Sequence, residues 1–280
     1  MTTLALQDIV SGLPRLPALP AVVMELLASM DSEDIDTGLL AQKIAQDQAL
    51  TATTLRLANS SFYGMANQIT SIGDAIAILG FRSVRSVATT AALIGTFNQH
   101  ALGSFRLTTF WRHSLATAIC ARELALHLAL NAEHAYTAGL LHDIGRLVLA
   151  TQFQSHYDEV LSHRARHDCT LPQAEREVLR IDHAQVGRAL AEHWRFPPAM
   201  QQAVAEHHVP RPSREHLLSW VILVADAIAH ALDLSGDDDD QVPSIPLSTW
   251  GQLGMEDAAI ESAMRATERQ FESASLVLLA

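Results

Sequence analysis

The run Gly139-Leu140-Leu141-His142-Asp143-Ile144-Gly145-Arg146-Leu147 constrains this chain more than any other stretch. A histidine and an aspartate sit side by side in an apolar segment far from either terminus. An unpartnered imidazole or carboxylate in an apolar interior costs several kcal/mol. Any fold the chain adopts must therefore bring partners to this pair, either a bound metal ion or a closed hydrogen-bond network. Gly139 and Gly145 lower helicity by up to about 1 kcal/mol each relative to alanine. Their retention points to close approach of a neighbouring helix or a bound group.

The remaining periodicity predicts helix almost throughout, and an all-α fold. Leu13 to Pro20 reads as an extended, proline-fixed lead-in, and Pro20 suits the first turn of a helix. Asp31 to Asp34 breaks that helix. Asp36 or Thr37 caps a second helix. A third spans Asp47 to Ala58, and Asn59 to Gly64 forms a turn. A fourth begins near Ser71 to Asp74. Ser83 is expected to cap a long helix running to about Phe97. Further helices are expected over Phe105 to Leu130, Ala132 to Thr151, Phe153 to His167 and Leu171 to Ile181. A helix capped by Asp182, another ending at Glu206-His207-His208, and spans Glu215 to Leu232 and Met255 to Leu279 complete the chain. Val209-Pro210-Arg211-Pro212 reads as a rigid connector.

At 280 residues and 49% hydrophobic, the chain can bury a large core. Its net charge of -12, with no basic cluster, argues against binding nucleic acid or an anionic membrane. No apolar run is long enough to span a bilayer and the start lacks a basic secretory signal, so a cytoplasmic location is expected. Cys120 and Cys169 are too few and too scattered for a disulfide framework or a thiolate zinc site. Arg82 and Arg85 fall on what reads as a solvated helix face. The acidic run Asp237 to Asp240 lacks the ligand spacing of an EF-hand and reads as a solvated linker.

The chemistry concentrates in the second half. His113, His142, Asp143, His183, His207, His208 and Asp226 are all embedded in apolar helical segments. Imidazoles and carboxylates are natural ligands for Fe, Mn, Zn or Ni. The residues by themselves leave both solutions open, one or two divalent ions or a buried network of neutral imidazoles and carboxylates.

Two resemblances sharpen the reading. Asp47, Leu50, Leu55, Leu57, Ala58, Asn59-Ser60, Tyr63-Gly64, Ile69, Ile72, Ala75-Ile76, Leu79-Gly80 and Arg85 resemble the signature of the HDOD family, the HD-related output domain of bacterial signalling proteins. This chain has Gln48 where family members usually have proline. The resemblance implies an N-terminal tail over 1–12 and an HDOD domain over 13–212. That domain divides into an N-terminal helical lobe, 13–100, and an HD-like helical lobe, 101–212. A helix within 213–234 completes the HD-like lobe, and 235–280 holds the acidic loop and a C-terminal helix.

The order of the seven polar residues is similar to that of HD-domain phosphohydrolases, most of all the HD-GYP phosphodiesterases of cyclic di-GMP. That likeness implies one ion held by His113, His142, Asp143 and Asp226. A second would be held by Asp143, His183 and one or both of His207 and His208. Two departures weigh against hydrolysis. Arg146 replaces the lysine of those enzymes, leaving an anion or phosphate contact at most. Val209-Pro210-Arg211-Pro212 replaces their substrate-holding Gly-Tyr-Pro loop. The HDOD resemblance therefore implies a regulatory output module without catalytic residues, linked to cyclic-di-GMP or two-component signalling. It would act through contacts with other signalling proteins, with a metal in the HD-like lobe. The alternative is a metal-dependent phosphohydrolase acting on a nucleotide or cyclic dinucleotide. The C-terminal helix is expected either to pack on the core or to form a homo-oligomer contact.

Overall fold

Several helix starts fall where a side chain satisfies amides that the helix itself leaves free. Asp36 accepts from the Leu39 amide, Asp47 from Leu50, Ser71 from Asp74, Asn131 from His134 and Asp182 from Gln185. The computed structural model describes residues 6–13, 19–30, 36–60, 63, 68–97, 103–211, 216–238 and 240–279. Parts of the proline-rich lead-in, the Asp31–Asp34 break, the Asn59–Gly64 turn, Pro212 and Asp239 lie outside the described residues. The described residues hold helices and no strand, as the periodicity predicts.

The N-terminal lobe comprises α1 (Leu6–Gly12), α2 (Ala21–Ala28), α3 (Thr37–Gln46), α4 (Gln48–Ala58), α5 (Ile72–Leu79) and α6 (Phe81–Phe97). Ile9 of α1 is fully buried. Two expectations fail here. The long helix starts at Phe81, so Ser83 lies inside its first turn and does not cap it. Arg85 is buried, and its Nη1 donates to the Ser29 carbonyl at 3.0 Å. A guanidinium can enter this core because Ser29, at the end of α2, turns a free carbonyl towards it. Helix periodicity alone cannot distinguish that from a solvated arginine.

The second lobe is built on α7 (Leu107–His127), which packs against α8 (Ala132–Leu141), α14 (Leu217–Ala231) and α16 (Asp257–Leu278). Around them stand α9 (Ile144–Gln152), α10 (Gln154–His167), α11 (Leu171–Leu179), α12 (His183–His193), α13 (Pro198–Glu206) and α15 (Leu247–Leu253). The lobes meet through α6 and α8, where Thr90 Oγ1 lies 3.3 Å from the Tyr136 hydroxyl and His134 Nε2 lies 2.9 Å from the Met30 carbonyl. The terminal helix α16 turns its apolar face inwards, burying Phe271, Ala274 and Leu278, and packs on α7 and α4. Among the described residues no helix is long and apolar enough to cross a membrane.

The predicted helix over Ala132 to Thr151 is two helices. It breaks at His142 and Asp143, where the Arg146 amide bonds back only three residues to the Asp143 carbonyl. In an unbroken α-helix adjacent side chains diverge by about 100°. The break lets both polar side chains enter one site. The glycines on either side permit the packing that holds it. A Cβ on Gly139 would sit 2.9 Å from the Ala118 Cα of α7. A Cβ on Gly145 would strike the His183 carbonyl and lie 2.7 Å from the Gly187 amide of α12.

Candidate metal centre

Five elements deliver the polar residues to one place. His113 comes from the middle of α7, His142 and Asp143 from the α8–α9 break, and His183 from the first turn of α12. His207 and His208 follow α13, and Asp226 lies in α14. His113, His142, Asp143, His183, His207 and Asp226 are buried, and His208 is partly so. Asp143 Oδ1 lies 3.6 Å from His142 Nε2, 3.0 Å from His183 Nε2 and 3.6 Å from His207 Nε2. Asp226 Oδ1 lies 2.9 Å from His113 Nε2 and 3.5 Å from His142 Nε2. His183 Nε2 is also 3.3 Å from His207 Nε2 and 2.9 Å from His208 Nε2. The seven residues singled out in the sequence thus form one cluster with two ends, one at each carboxylate.

The imidazoles are oriented from behind. His142 Nδ1 donates to the Gly139 carbonyl at 2.6 Å, and His207 Nδ1 to the Val204 carbonyl at 2.7 Å. His183 Nδ1 donates to Glu175 Oε2 at 2.6 Å, and the His183 amide reaches the same oxygen at 2.8 Å. Carbonyl and carboxylate oxygens accept, so Nδ1 carries a proton, and each ring when neutral turns a lone pair inwards at Nε2. Two such lone pairs facing each other at 3.3 Å, as in His183 and His207, repel unless a cation or a proton lies between them. Carboxylates or carbonyls behind histidines are the usual support of metal ligands.

Spacing supplies a second test of fit. With metal–ligand bonds of about 2.1 Å, neighbouring ligand atoms stand roughly 3–3.5 Å apart. The Nε2 and Oδ1 separations in the cluster have that scale. Three groups of residues offer converging ligand atoms: His183, His207 and His208; His113, His142 and Asp143; and His113, Asp226 and His230. The donor set is compatible with a metal.

The electrostatics follow from burial and charge. Burial would raise Asp143, but His142, His183 and Arg146 hold its pKa well below the usual carboxylate range. Burial would likewise raise Asp226, and His230, His113 and His142 hold it low. Burial works against charge on His142 and His183, yet the neighbouring carboxylates raise both, His183 to about 10. Burial pushes His113 down to about 4 and depresses His207 and His208.

Arg146 does not face open space. Its Nη1 donates to Asp143 Oδ2 at 2.7 Å, its Nε to the Tyr157 hydroxyl at 3.3 Å, and its guanidinium lies over Phe105 and Phe110.

Sequence reasoning missed three participants. His230 lies one turn beyond Asp226 on α14, with Nε2 3.3 Å from Asp226 Oδ1. That i, i+4 spacing was a readable signal. Glu175, fully buried behind His183, left no signal except an acid within an amphipathic helix. Asp240 pairs with His230 Nδ1 and accepts from Ser235 Oγ at 3.1 Å, and Asp237 pairs with Arg106. The acidic run is therefore not a purely solvated linker. It is tied to the cluster at one point and to the start of α7 at another.

The chain has relatives. An uncharacterised protein of Treponema pallidum is 27% identical over 264 residues, covering 88% of this chain, and this chain spans about half, 48%, of its length. An HDOD domain protein of Geobacter sulfurreducens superposes with a TM-score of 0.86 at 25% identity, covering 98% of this chain and 97% of that one. A Shewanella amazonensis protein provisionally named a phosphohydrolase has a TM-score of 0.78 at 24% identity, covering 96% and 97%. A Marinobacter aquaeolei protein provisionally named for signal transduction has a TM-score of 0.79 at 22% identity, covering 100% and 62%. The last two show the fold. Residues 16–210 match the HDOD domain, and the chain therefore belongs to the HDOD family.

Proposed function

We propose that this protein is a signal-transduction output module that acts through protein contacts and holds one or two divalent ions in its HD-like lobe. The domain would run over 13–212 with the α14 segment completing it. The observation that carries the reading is the cover over the donor set. His113, His142, Asp143, His183, His207 and Asp226 are each 5% exposed or less. A cleft on the Asp226 side is lined by His230, Asp233, Gly236, Asp237, Asp238 and Asp240. A phosphodiester approaching there meets carboxylates, which repel it. Arg146, the cation best placed to attract phosphate, is already held by Asp143 and Tyr157. When bound, the ions would supply fixed positive charge that satisfies the inward lone pairs and the two carboxylates. His113, His142, Asp143 and Asp226 would hold one, and Asp143, His183, His207 and His208 the other.

One observation favours a second reading, metal-dependent hydrolysis of a nucleotide or cyclic dinucleotide. Asp143 Oδ1 faces ligands at both ends of the cluster, the disposition that two-metal phosphohydrolases use to set ions side by side. Metal analysis of protein purified without chelator, joined to hydrolysis assays of cyclic dinucleotides and nucleotides with added Mn or Fe, separates the two. Bound metal without turnover is the expected result. Turnover that disappears in His142→Ala and Asp143→Ala would replace the signalling reading with the hydrolytic one.

A further inference from the structure

The two ends of the cluster share a construction that the family-like ligand order does not include. At one end His183 is gripped from behind by Glu175 and turns Nε2 to within 3.0 Å of Asp143 Oδ1. At the other, His230 is gripped from behind by Asp240 and turns Nε2 to within 3.3 Å of Asp226 Oδ1. Both are carboxylate–histidine pairs aimed at a carboxylate of the cluster, the arrangement that fixes ring orientation and raises ligand basicity at metal sites. The His230 ring lies against His113, with centroids 4.3 Å apart, so its edge shares the space where His113 and Asp226 converge. His113, Asp226 and His230 form a converging trio in their own right.

We propose that His230 is a further protein ligand to the ion at the Asp226 end, oriented by Asp240, and that it fills the coordination position a hydrolytic centre leaves to water. This rests on the metal reading above and deepens it. Structural metal sites are closed by protein ligands, whereas catalytic ones keep a position open. Asp240 belongs to the loop after α14, and that loop is tied elsewhere by Arg106 to Asp237 and by Gln241 Nε2 to Asp168 Oδ1 at 3.1 Å. The ligand that closes the site is thus held by a surface segment, so binding at the Asp226 end would be coupled to the position of that segment.

The test uses the full chain stripped of metal and reloaded with Co2+, read by chelator competition and by the visible cobalt spectrum. His230→Gln, at a partly exposed position, should weaken one Co2+ by about ten- to a hundredfold, and Asp240→Asn by about tenfold. Azide should alter the cobalt spectrum of His230→Gln and leave the wild-type spectrum unchanged, because only the variant has a vacant position. Wild-type affinity and spectrum retained in His230→Gln would overturn the assignment of His230 while leaving the metal reading intact. Absence of Co2+ binding by wild-type protein would overturn the metal reading itself, and this inference with it.

Discussion

The Asp143 end and the Asp226 end of the cluster present nearly the same donors, but different parts of the protein hold them. Around Asp143, every imidazole that turns Nε2 inwards from a buried ring is fixed by the helical core: His142 by the Gly139 carbonyl, His207 by the Val204 carbonyl and His183 by Glu175. Around Asp226, His113 Nδ1 is buried without a hydrogen-bond partner, and His230 is held by a carboxylate on a loop. The Asp143 end is set when the core packs. At the Asp226 end one ring, that of His230, is held by a loop residue, Asp240. One end suits a structural role, and the other suits a response to metal or to a partner.

The largest expected effect tests that difference directly. In metal-free protein, Asp143→Ala leaves the Arg146 guanidinium and His183 buried without their shared counter-charge. Removing one partner of a buried ion pair costs about 3–5 kcal/mol. Asp226→Ala should cost less, about 1–3 kcal/mol, because His113 is neutral and His230 can rehydrate at the surface. Urea unfolding of both variants measures this, and equal losses would break the distinction between the two ends.

A smaller effect comes from pH. In metal-free protein His183 and His230 titrate near 10, well above the ordinary 6.5, each against burial: Glu175 and Asp143 raise the first, Asp226 and Asp240 the second. The folded state then holds protons that the unfolded chain releases above about 6.5, so their stabilisation is complete below that pH and is lost as pH rises towards 10. His113, lowered by burial to about 4, has the opposite sign. Its neutral folded form is favoured above 6.5, and stability falls as acid protonates the unfolded chain. Metal-free stability should therefore fall by about 2 kcal/mol between pH 7 and 8, because the two raised imidazoles each contribute up to roughly 1.4 kcal/mol per pH unit. Bound metal should reverse the trend, since ligands must be deprotonated to bind. Denaturation midpoints at the two pH values, with and without Co2+, check both signs. Asp240→Asn should reduce the His230 share of the slope, which Asp226 still sustains, and leave the His183 share. A metal-free protein that is more stable at pH 8 would contradict the assignment.

Much of this was legible in the sequence, for reasons that differ by residue. Asp36, Asp47, Ser71 and Asp182 announced helix starts because a cap needs only its own short side chain and the next amides. The seven cluster residues stood out because each is polar within an apolar helix. The break between α8 and α9 was hidden, since the apolar pattern runs unbroken through it and the cause, packing of Gly145 on α12, is tertiary. Arg85 was misread because a surface and a buried arginine can share one helical period, and only the Ser29 carbonyl distinguishes them. Asp240 was obscured by its neighbours: a run of aspartates reads as solvent-facing until a histidine from another element is placed beside one of them.

The smallest expected effect concerns the surface ties of the loop. Arg106 pairs with Asp237, and its side chain is about half exposed. An exposed pair of this kind contributes roughly 0–1 kcal/mol, so Arg106→Ala should leave the unfolding midpoint almost unchanged. Its consequence should be local. With that tie gone, residues 233–238 should open more often, and the Asp240 grip on His230 should loosen with them. Amide hydrogen exchange resolves such local opening even when global stability is constant. Exchange in 233–238 should quicken in Arg106→Ala, while exchange in 175–187, around Glu175 and His183, stays at the wild-type rate. If both segments quicken together, the ends are one cooperative unit and the loop has no independent hold on the Asp226 end. If neither changes, Arg106 does not restrain the loop, and the hold rests on Asp240 and Gln241 alone.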